Sequence, residues 1–356
     1  MRRTVGTLVV ALLAAGILWA APMPGDINGD GTVNFSDFLV LAANFGKTGD
    51  PYDPTTAGRT DTTRVTVYDT THITVRETLW ISVYDTVKVY PSGESVDPAS
   101  RPDEITIASF NIRIYSTGSR DDQELGLIAD RLQQFDLIAI QEVRDTEVVD
   151  RTLSILTGRG HAYQASVSDP VGEATTERYA FLWRAGKVQK VGDARIWDDQ
   201  GDQFIREPYI ATFRAGNFDF TLITIHVLYG SSTAERRAEA MLLDDVYRAV
   251  QDSDPLEQDV ILLGDFNLEP EDEGFAELTP ILTPLFTGDI RTTITQTSLY
   301  DNIWLDSQHA QEYAGQYGVD RFDQTVFGND DDTASLAVSD HRPVWAKFGT
   351  GRPDDD

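Results

Sequence analysis

The sequence predicts an α/β domain in which helices cover β-sheets, preceded by a small calcium-loop segment and a β-rich spacer. Three observations lead to this prediction. From residue 104 onward, short apolar strands alternate with helical patterns. Between residues 65 and 90, the odd positions are mostly apolar, which is the period of two that strands show. Residues 26–37 have the oxygen-ligand spacing of a calcium-binding loop.

The composition indicates a folded and acidic protein. Its 356 residues are 41% hydrophobic and 10% aromatic, which is more apolar than intrinsically disordered chains. The net charge of −29 argues against passive wrapping of a polyanion, because phosphate contacts normally come from lysine and arginine. A phosphate-ester substrate would therefore need cations to mediate its binding. The absence of cysteine excludes disulfides, thiolate metal sites and cysteine nucleophiles.

Residues 1–21 have the layout of a secretory signal peptide. Two arginines precede an apolar run from Leu8 to Trp19, and two alanines end it. We therefore expect a secreted or extracellular protein with a bacterial-type signal. An uncleaved anchor that keeps the protein at the cell surface is the alternative, because the segment from Thr4 to Ala21 falls only just short of the roughly 20 residues that span a bilayer.

Residues 22–47 contain a complete calcium-loop pattern, with Gly31 at the sixth position, where such loops turn sharply. The predicted ligands are Asp26, Asn28, Asp30, Thr32, Asn34 and Asp37. An apolar helix over residues 38–45 follows. The segment resembles one half of a dockerin, the calcium-binding attachment module of bacterial extracellular enzymes, although dockerins carry two such loops. The resemblance implies Ca²⁺ binding and a cell-surface or cohesin-like partner for residues 26–45; a surface turn rich in Asp, Asn and Gly is the alternative.

Residues 48–102 are predicted to be linker and β-repeat spacer. The tetrapeptides V-Y-D-T, V-R-E-T and V-Y-D-T start at Val67, Val75 and Val83, so a unit of eight residues recurs. Linkers rich in proline flank this repeat on both sides. We assign the spacer no chemistry and place the catalytic domain at residues 103–349, with an acidic tail at 350–356.

Within the catalytic domain, the alternating pattern predicts the individual elements. Strands are expected at 105–110, 137–141, 180–183, 218–226, 260–265, 303–304 and 344–348, with helices at 123–135 and 233–252. Several of the strands end abruptly in groups that bind hard cations or move protons, namely Asn111, Glu142, His226, Asp265, Asn267, Asp340 and His341. Because ligands gather at strand ends in α/β enzymes, these groups are expected to converge on one crevice. They suit metal-assisted phosphoester hydrolysis, with oxygen ligands for Mg²⁺ or Mn²⁺ and histidine for proton transfer.

Eight short motifs then occur in a single order across residues 104–348. They are F-N-I-R (110–113), Q-E-V-R-D (141–145), E-R-Y-A-F-L-W-R (177–184), R-E-P (206–208), T-I-H (224–226), G-D-F-N (264–267), Y-D-N-I (300–303) and S-D-H-R-P-V (339–344). Together they resemble the endonuclease/exonuclease/phosphatase superfamily, most closely its deoxyribonuclease I group. The resemblance implies two packed, mostly antiparallel β-sheets flanked by helices, in a four-layer α/β sandwich that hydrolyses DNA.

The resemblance also implies roles for the matching residues. Four would form the metal and phosphate site, the first as principal ligand: Glu142, Asn111, Asp265 and Asp340. Two histidine–carboxylate pairs would serve acid–base catalysis: His341 with Asp301, and His226 with Glu177. Three arginines would contact phosphates: Arg113, Arg144 and Arg206. Asn267 would stabilise charge on the reacting phosphate. His341 would act on the attacking water and His226 as general acid or phosphate donor, although the sequence leaves open which histidine is the base.

Two departures from the family concern the choice of substrate. Thr175 stands where the family has a tyrosine that inserts toward the minor groove, and V-L-Y-G follows His226 where the family usually has small and polar residues. The loop before R-E-P resembles a structural calcium site of the family in shortened form, with an acidic surface loop as the alternative. Its predicted ligands are Asp199, Asp202, Phe204 through its carbonyl, and Glu207.

The leading hypothesis is a secreted nuclease that depends on Mg²⁺ and Ca²⁺ and cuts extracellular DNA, with no stable protein partner evident. A phosphatase or phosphodiesterase of the same superfamily, acting on a nucleotide, inositol phosphate or phospholipid headgroup, is the alternative. R-E-P and Arg144 favour nucleic acid, whereas Thr175 and the net charge of −24 over residues 103–348 favour a smaller substrate. A non-catalytic calcium-dependent surface protein is disfavoured, because every central residue is present.

Overall fold

A computed structural model describes residues 103–172, 176–254, 257–295, 298–306 and 310–352, together with two short segments near the N-terminus. The chain divides into two units, Met1–Val89 and Tyr90–Asp356. In the first unit, Arg3–Thr4 pairs antiparallel with Thr74–Val75. The predicted calcium loop, the rest of the spacer and most of the signal segment lie outside the described residues. Within the described ranges, no helix is long and apolar enough to cross a bilayer.

The second unit is built from strands and helices whose bounds are as follows. The strands are β1 Glu104–Tyr115, β2 Leu137–Val143, β3 Tyr163–Val167, β4 Arg178–Arg184, β5 Gln189–Ile196, β6 Tyr209–Ala215, β7 Phe218–His226, β8 Val260–Asp265, β9 Thr283–Pro284, β10 Asp301–Leu305, β11 Tyr313–Val319 and β12 Val344–Gly349. The helices are α1 Asp122–Leu132, α2 Thr146–Gly158, α3 Thr233–Ala240, α4 Leu243–Ser253, α5 Phe322–Thr325 and α6 Asp331–Ala337, with a 3₁₀ turn at Glu273–Phe275.

The strands form two six-stranded sheets, with the orders β11-β12-β1-β2-β4-β3 and β9-β10-β8-β7-β6-β5. In each sheet one central pair is parallel, β1 with β2 and β7 with β8. The other pairings given by these orders are antiparallel. Both sheets are therefore mostly antiparallel, as predicted.

Three buried apolar clusters separate four layers. Ile107 and Phe181 of one sheet pack with Phe213 and Leu263 of the other in the cluster between the sheets. Because side chains alternate across a strand, the neighbouring positions of the first sheet point outward and pack against α1 and α2. The outer face of the second sheet packs in the same way against α3 and α4. The predicted four-layer α/β sandwich is confirmed.

One predicted helix differs from the structure. The segment predicted as a single helix over 233–252 is two helices, α3 and α4. At the break, the N–H of Leu242 bonds to the carbonyl of Glu239, three residues back. This tighter turn ends the first helix before the second begins.

Candidate active site

In each sheet, the parallel pair brings polar residues to the side of the sheet where those two strands end. In the first sheet Asn111, near the end of β1, pairs with Gln141 of β2. In the second sheet Asp265, the last residue of β8, pairs with His226 on one side and Asp301 on the other. Parallel strands end on the same side of a sheet, and the antiparallel strand β10 begins on that side with Asp301, so register gathers the side chains within each sheet. All five are at least 95% buried, which raises the strength of every charge interaction among them.

His226 and Glu177 form the first histidine–carboxylate pair. His226 Nδ1 lies 2.6 Å from Glu177 Oε1, and Arg206 Nη1 lies 3.1 Å from the same oxygen. Burial by itself would raise the pKa of Glu177, but the surrounding cations outweigh it and lower the pKa to about 2. Burial opposes ionisation of His226 as well, yet the adjacent carboxylate raises the pKa of the imidazole. Glu177 is therefore a fixed negative charge that orients His226 and favours its protonated form.

His341 and Asp301 form the second pair. His341 Nδ1 lies 2.8 Å from Asp301 Oδ2. Burial raises the pKa of Asp301. Burial would lower the pKa of His341, but Asp301 and Asp265 outweigh it and raise that pKa well above its ordinary value. As in the first pair, Nδ1 is held by a carboxylate and Nε2 is left to face the site.

The two pairs converge on Asp265. His226 Nε2 lies 3.5 Å and His341 Nε2 lies 3.7 Å from the same oxygen, Asp265 Oδ2. The side-chain amide of Asn111 donates to this oxygen at 2.9 Å, and the backbone N–H of Asn267 donates to Oδ1 at 2.9 Å. Burial would raise the pKa of Asp265, but the two histidines and these hydrogen bonds lower it. The site thus holds one carboxylate between two oriented imidazoles.

Several acceptor atoms at this point fit a hard divalent cation. Asn111 Oδ1 is buried without a hydrogen-bond partner, which leaves a polar atom suited to a cation. Asp265, Asp301 and His341 place candidate ligand atoms within 4.8 Å of one another. Glu142 is held at the same edge, where its Oε2 accepts from the backbone N–H of Ile114 at 2.9 Å. Carboxylate and amide oxygens are the ligands that Mg²⁺ prefers.

The site lies on a recognisable family fold. Residues 108–341 match the Endonuclease/Exonuclease/phosphatase family. The chain belongs to this family. It is 34% identical over 265 residues to a deoxyribonuclease of Thioalkalivibrio sp. (strain K90mix), covering 70% of this chain and 73% of the relative. It is 31% identical over 262 residues to deoxyribonuclease-1 of Bos taurus, covering 67% and 90%.

A solved structure agrees with the fold. The catalytic domain of human Nocturnin with bound sulfate superposes with a TM-score of 0.50 at 18% identity, covering 71% of this chain and 95% of that one. The predicted membership in the deoxyribonuclease I group is confirmed by the relatives. This member of the family is accordingly a hydrolase of phosphoester bonds.

The three arginines predicted to contact phosphates differ in their position relative to the two histidine–carboxylate pairs. Arg206 bonds to Glu177 and to the carbonyl of Val227. Arg144 Nη2 lies 3.2 Å from Glu142 Oε2 and 3.6 Å from Glu177 Oε2. Arg113 Nε lies 4.0 Å from Asp340 Oδ2, and both side chains are about one-third exposed. Asp340 is therefore paired at the rim, whereas Asp265 is buried between the histidines.

Two residues that support the site were missed by sequence reasoning. Ser339 Oγ donates to the carbonyl of Asn111 at 2.7 Å and accepts from the N–H of His341 at 3.2 Å, which ties β1 to the segment carrying His341. Gln141 Nε2 donates to Thr224 Oγ1 at 2.9 Å and so joins the two sheets beneath the histidines. Both belong to the matched motifs, which is the signal that could have identified them.

The predicted structural calcium loop is closed by hydrogen bonds in this structure. Asp199 Oδ1 accepts from the N–H of Gly201 at 3.1 Å, and Asp199 Oδ2 accepts from the N–H of Phe204 at 2.7 Å. Asp202 has a φ of 51°, which belongs to a tight turn. Calcium binding by Asp199, Asp202, Phe204 and Glu207 stays a prediction. Thr175 lies outside the described residues.

Proposed function

We propose that the protein is a secreted deoxyribonuclease that uses Mg²⁺ or Mn²⁺ to hydrolyse phosphodiester bonds in extracellular DNA. One observation carries this proposal. The imidazoles of His226 and His341, each held by its own buried carboxylate, lie 3.5 and 3.7 Å from one oxygen of Asp265. Such hydrolysis requires three groups: a base for the attacking water, an acid for the leaving oxygen and a ligand for the cation.

The two imidazoles divide the proton transfers. Because a carboxylate holds each Nδ1, each Nε2 is the atom that reaches the reacting phosphate. One Nε2 takes the proton of the attacking water, and the other donates to the phosphate or to the departing oxygen. The raised pKa values of both histidines favour imidazolium, which suits the histidine that acts as donor and attracts the anionic substrate. The histidine that acts as base must lose this proton before it can take one from the attacking water.

Glu142, Asn111 and Asp265 would hold the cation, with Asp340 at the rim. When bound, the cation neutralises phosphate charge and lowers the barrier for attack by water. The chain's own task is to hold these oxygens in place. Asn111 does so with both ends of its amide, since Nδ2 bonds to Asp265 and leaves Oδ1 for the cation.

Asn267 supplies a further polar contact for the transition state. Its Nδ2 donates to the carbonyl of Val227 at 2.8 Å, which fixes the amide plane. The second Nδ2 hydrogen would then meet a non-bridging phosphate oxygen as negative charge grows there. A donor that is oriented in advance costs no reorganisation during the reaction.

A second candidate substrate is a small phosphate ester, favoured by the net charge of −24 over residues 103–348. Such a domain repels a long polyanion more strongly than a single phosphate. Arg206 and Arg144 argue for DNA, because both lie beside the histidine pair where a backbone phosphate would bind.

Secretion by residues 1–21, Ca²⁺ binding by Asp26–Asp37 and cell-surface attachment through residues 26–45 remain predictions from the sequence.

An activity panel tests the proposal. The mature chain is assayed on supercoiled DNA, single-stranded DNA, RNA and small phosphate esters, in EDTA and after Mg²⁺ or Mn²⁺ is restored. We expect DNA cleavage that EDTA abolishes and the metal restores. Full activity in excess EDTA would contradict the metal mechanism. Turnover of small esters with none of DNA would replace DNA by the second candidate.

A further inference from the structure

The loop that follows β7 presents an exposed aromatic ring beside the site. Tyr229 lies three residues after His226 and is 47% exposed. The guanidinium of Arg236 covers one face of its ring, at 3.9 Å from the ring centroid. Arg236 thus braces a ring that stays partly exposed to solvent.

Arg236 links this ring to the catalytic machinery. Its Nε donates to the carbonyl of Tyr229 at 2.6 Å, and its Nη1 donates to the carbonyl of Asn267 at 3.2 Å. Asn267 is two residues from Asp265 and bonds to it through its backbone N–H. Hydrogen bonds made by Arg236 thus connect the backbone of Tyr229 to Asn267, the proposed phosphate contact.

The loop itself, residues 227–231, is held by hydrogen bonds on both sides of Tyr229. The N–H of Val227 bonds to the carbonyl of Asp265, and the N–H of Leu228 bonds to the buried carboxylate of Glu239 at 2.6 Å. Beyond the tyrosine, Gly230 has a φ of 58°, and a side chain there would collide with Glu235. Glu235 in turn accepts the N–H of Ser231 at 2.7 Å.

We propose that Tyr229 is a stacking platform for an unpaired base of the nucleic-acid substrate and that it directs the enzyme toward single-stranded or frayed DNA. This inference rests on the proposed deoxyribonuclease function. A flat ring that is braced on one face offers the other face to a flat partner, and every nucleobase has such a face. Because the loop is already ordered, stacking immobilises little of the protein. A base inside a duplex has both faces covered by its neighbours, so only an unpaired base can use the ring.

Arg236 supports base stacking on Tyr229 by its positive charge as well as by its contact with the ring. Its guanidinium places a positive charge beside the ring in an otherwise acidic domain, and such a charge attracts the phosphates of a bound strand. The guanidinium also polarises the ring that it covers. Arg236 is therefore a positioning residue, and Tyr229 is the residue that touches the substrate.

The test uses the full chain in Mg²⁺ with two strands of equal length. One is single-stranded DNA of 20 nucleotides, and the other has tetrahydrofuran abasic units throughout, so that phosphates remain and bases do not. For Tyr229→Ala we expect KM on the base-bearing strand to rise about 5- to 150-fold, the range for loss of one base–aromatic stack, with KM on the abasic strand unchanged. Tyr229→Phe should retain the wild-type preference. Val191→Ala, which trims another exposed apolar side chain on β5, should change neither KM.

The outcomes separate this inference from the function on which it rests. If Tyr229→Ala raises KM equally on both strands, the ring acts through the loop or the phosphates, and the stacking proposal is wrong. The proposal is also wrong if the wild type cuts both strands and Tyr229→Ala behaves like the wild type. If the wild type cuts no DNA at all while remaining folded, the deoxyribonuclease function itself fails and this inference fails with it.

Discussion

Replacing Glu177 by glutamine tests whether the His226 pair is held together by charge. Glutamine keeps the shape of the side chain and removes the negative charge that Arg206 and Arg144 both contact. Two buried or half-buried arginines and a histidine then lose their carboxylate. We expect the variant to be less stable at neutral pH and to lose about two orders of magnitude in turnover, because His226 is no longer oriented.

The size and sign of the stability change follow from the pKa of Glu177, which is about 2 in the folded protein against an ordinary 4.5. Since one pKa unit corresponds to about 1.4 kcal/mol, the charged carboxylate contributes about 3 kcal/mol to the free energy of unfolding at pH 7. The folded pKa is depressed, so this contribution is fully present above the unfolded pKa and is lost as the pH falls toward 2. About 40% of it should remain at pH 3.

Urea denaturation followed by circular dichroism, at pH 7 and pH 3, measures the difference between the wild type and Glu177→Gln. The matched control is Glu273→Gln, which removes a carboxylate that is 73% exposed and paired with Arg237. A surface pair of this kind contributes about 0–1 kcal/mol, so the control should unfold close to the wild type. The reasoning is refuted if Glu177→Gln lies within about 1 kcal/mol of the wild type at pH 7, or if the difference is the same at both pH values.

Two further predictions concern the two candidate catalytic histidines and the N-terminal unit. His226→Ala and His341→Ala should each lower turnover on DNA by roughly two or more orders of magnitude without unfolding the protein, as loss of an acid or a base does. Equal losses from His161→Ala would mean that the wrong pair has been chosen. Deleting residues 22–100 should leave specific activity on soluble DNA nearly unchanged, because every candidate catalytic residue lies in the matched region 108–341. If the truncated protein stays folded by circular dichroism but is inactive, the predicted domain boundary at 103 is wrong.

Most of the central strands could be predicted from the sequence because they are buried on both faces. The internal strand β6 was not predicted, since Thr212 and the exposed Arg214 interrupt its apolar run. The run V-I-L-L-G-D of β8 is buried at every position, so its apolar character is continuous and easily read. The edge strands gave no such signal. Most of β5 is exposed or half-buried, and β11 is likewise half-buried along most of its length. An edge strand packs less of its surface, so its residues need not be apolar and pattern alone does not reveal it.

The site was predictable in its members but not in its pairings. A histidine or carboxylate that ends an apolar strand stands out in the sequence, as His226 and Asp265 do. The carboxylate partner of each histidine is distant along the chain: His226 lies 49 positions after Glu177, and His341 lies 40 positions after Asp301. No local pattern joins positions so far apart, and only the family resemblance assigned them before the structure placed them in contact.

The position of Glu142 shows why regular strand geometry cannot account for this site. Side chains alternate between the faces of a regular strand, yet the ladder between β1 and β2 is irregular between Asn111 and Tyr115, and the ladder between β2 and β4 is irregular between Ile140 and Val143. Inside these irregularities Glu142 has a φ of 62° and Ile114 has a φ of 45°, and such backbone strain costs of order 1–3 kcal/mol at each residue. The hydrogen bond from the N–H of Ile114 to the Glu142 carboxylate joins the two strained residues directly. The strain therefore accompanies a carboxylate held at the edge where the histidines converge, and a sequence reading that assumes unbroken strands cannot place it there.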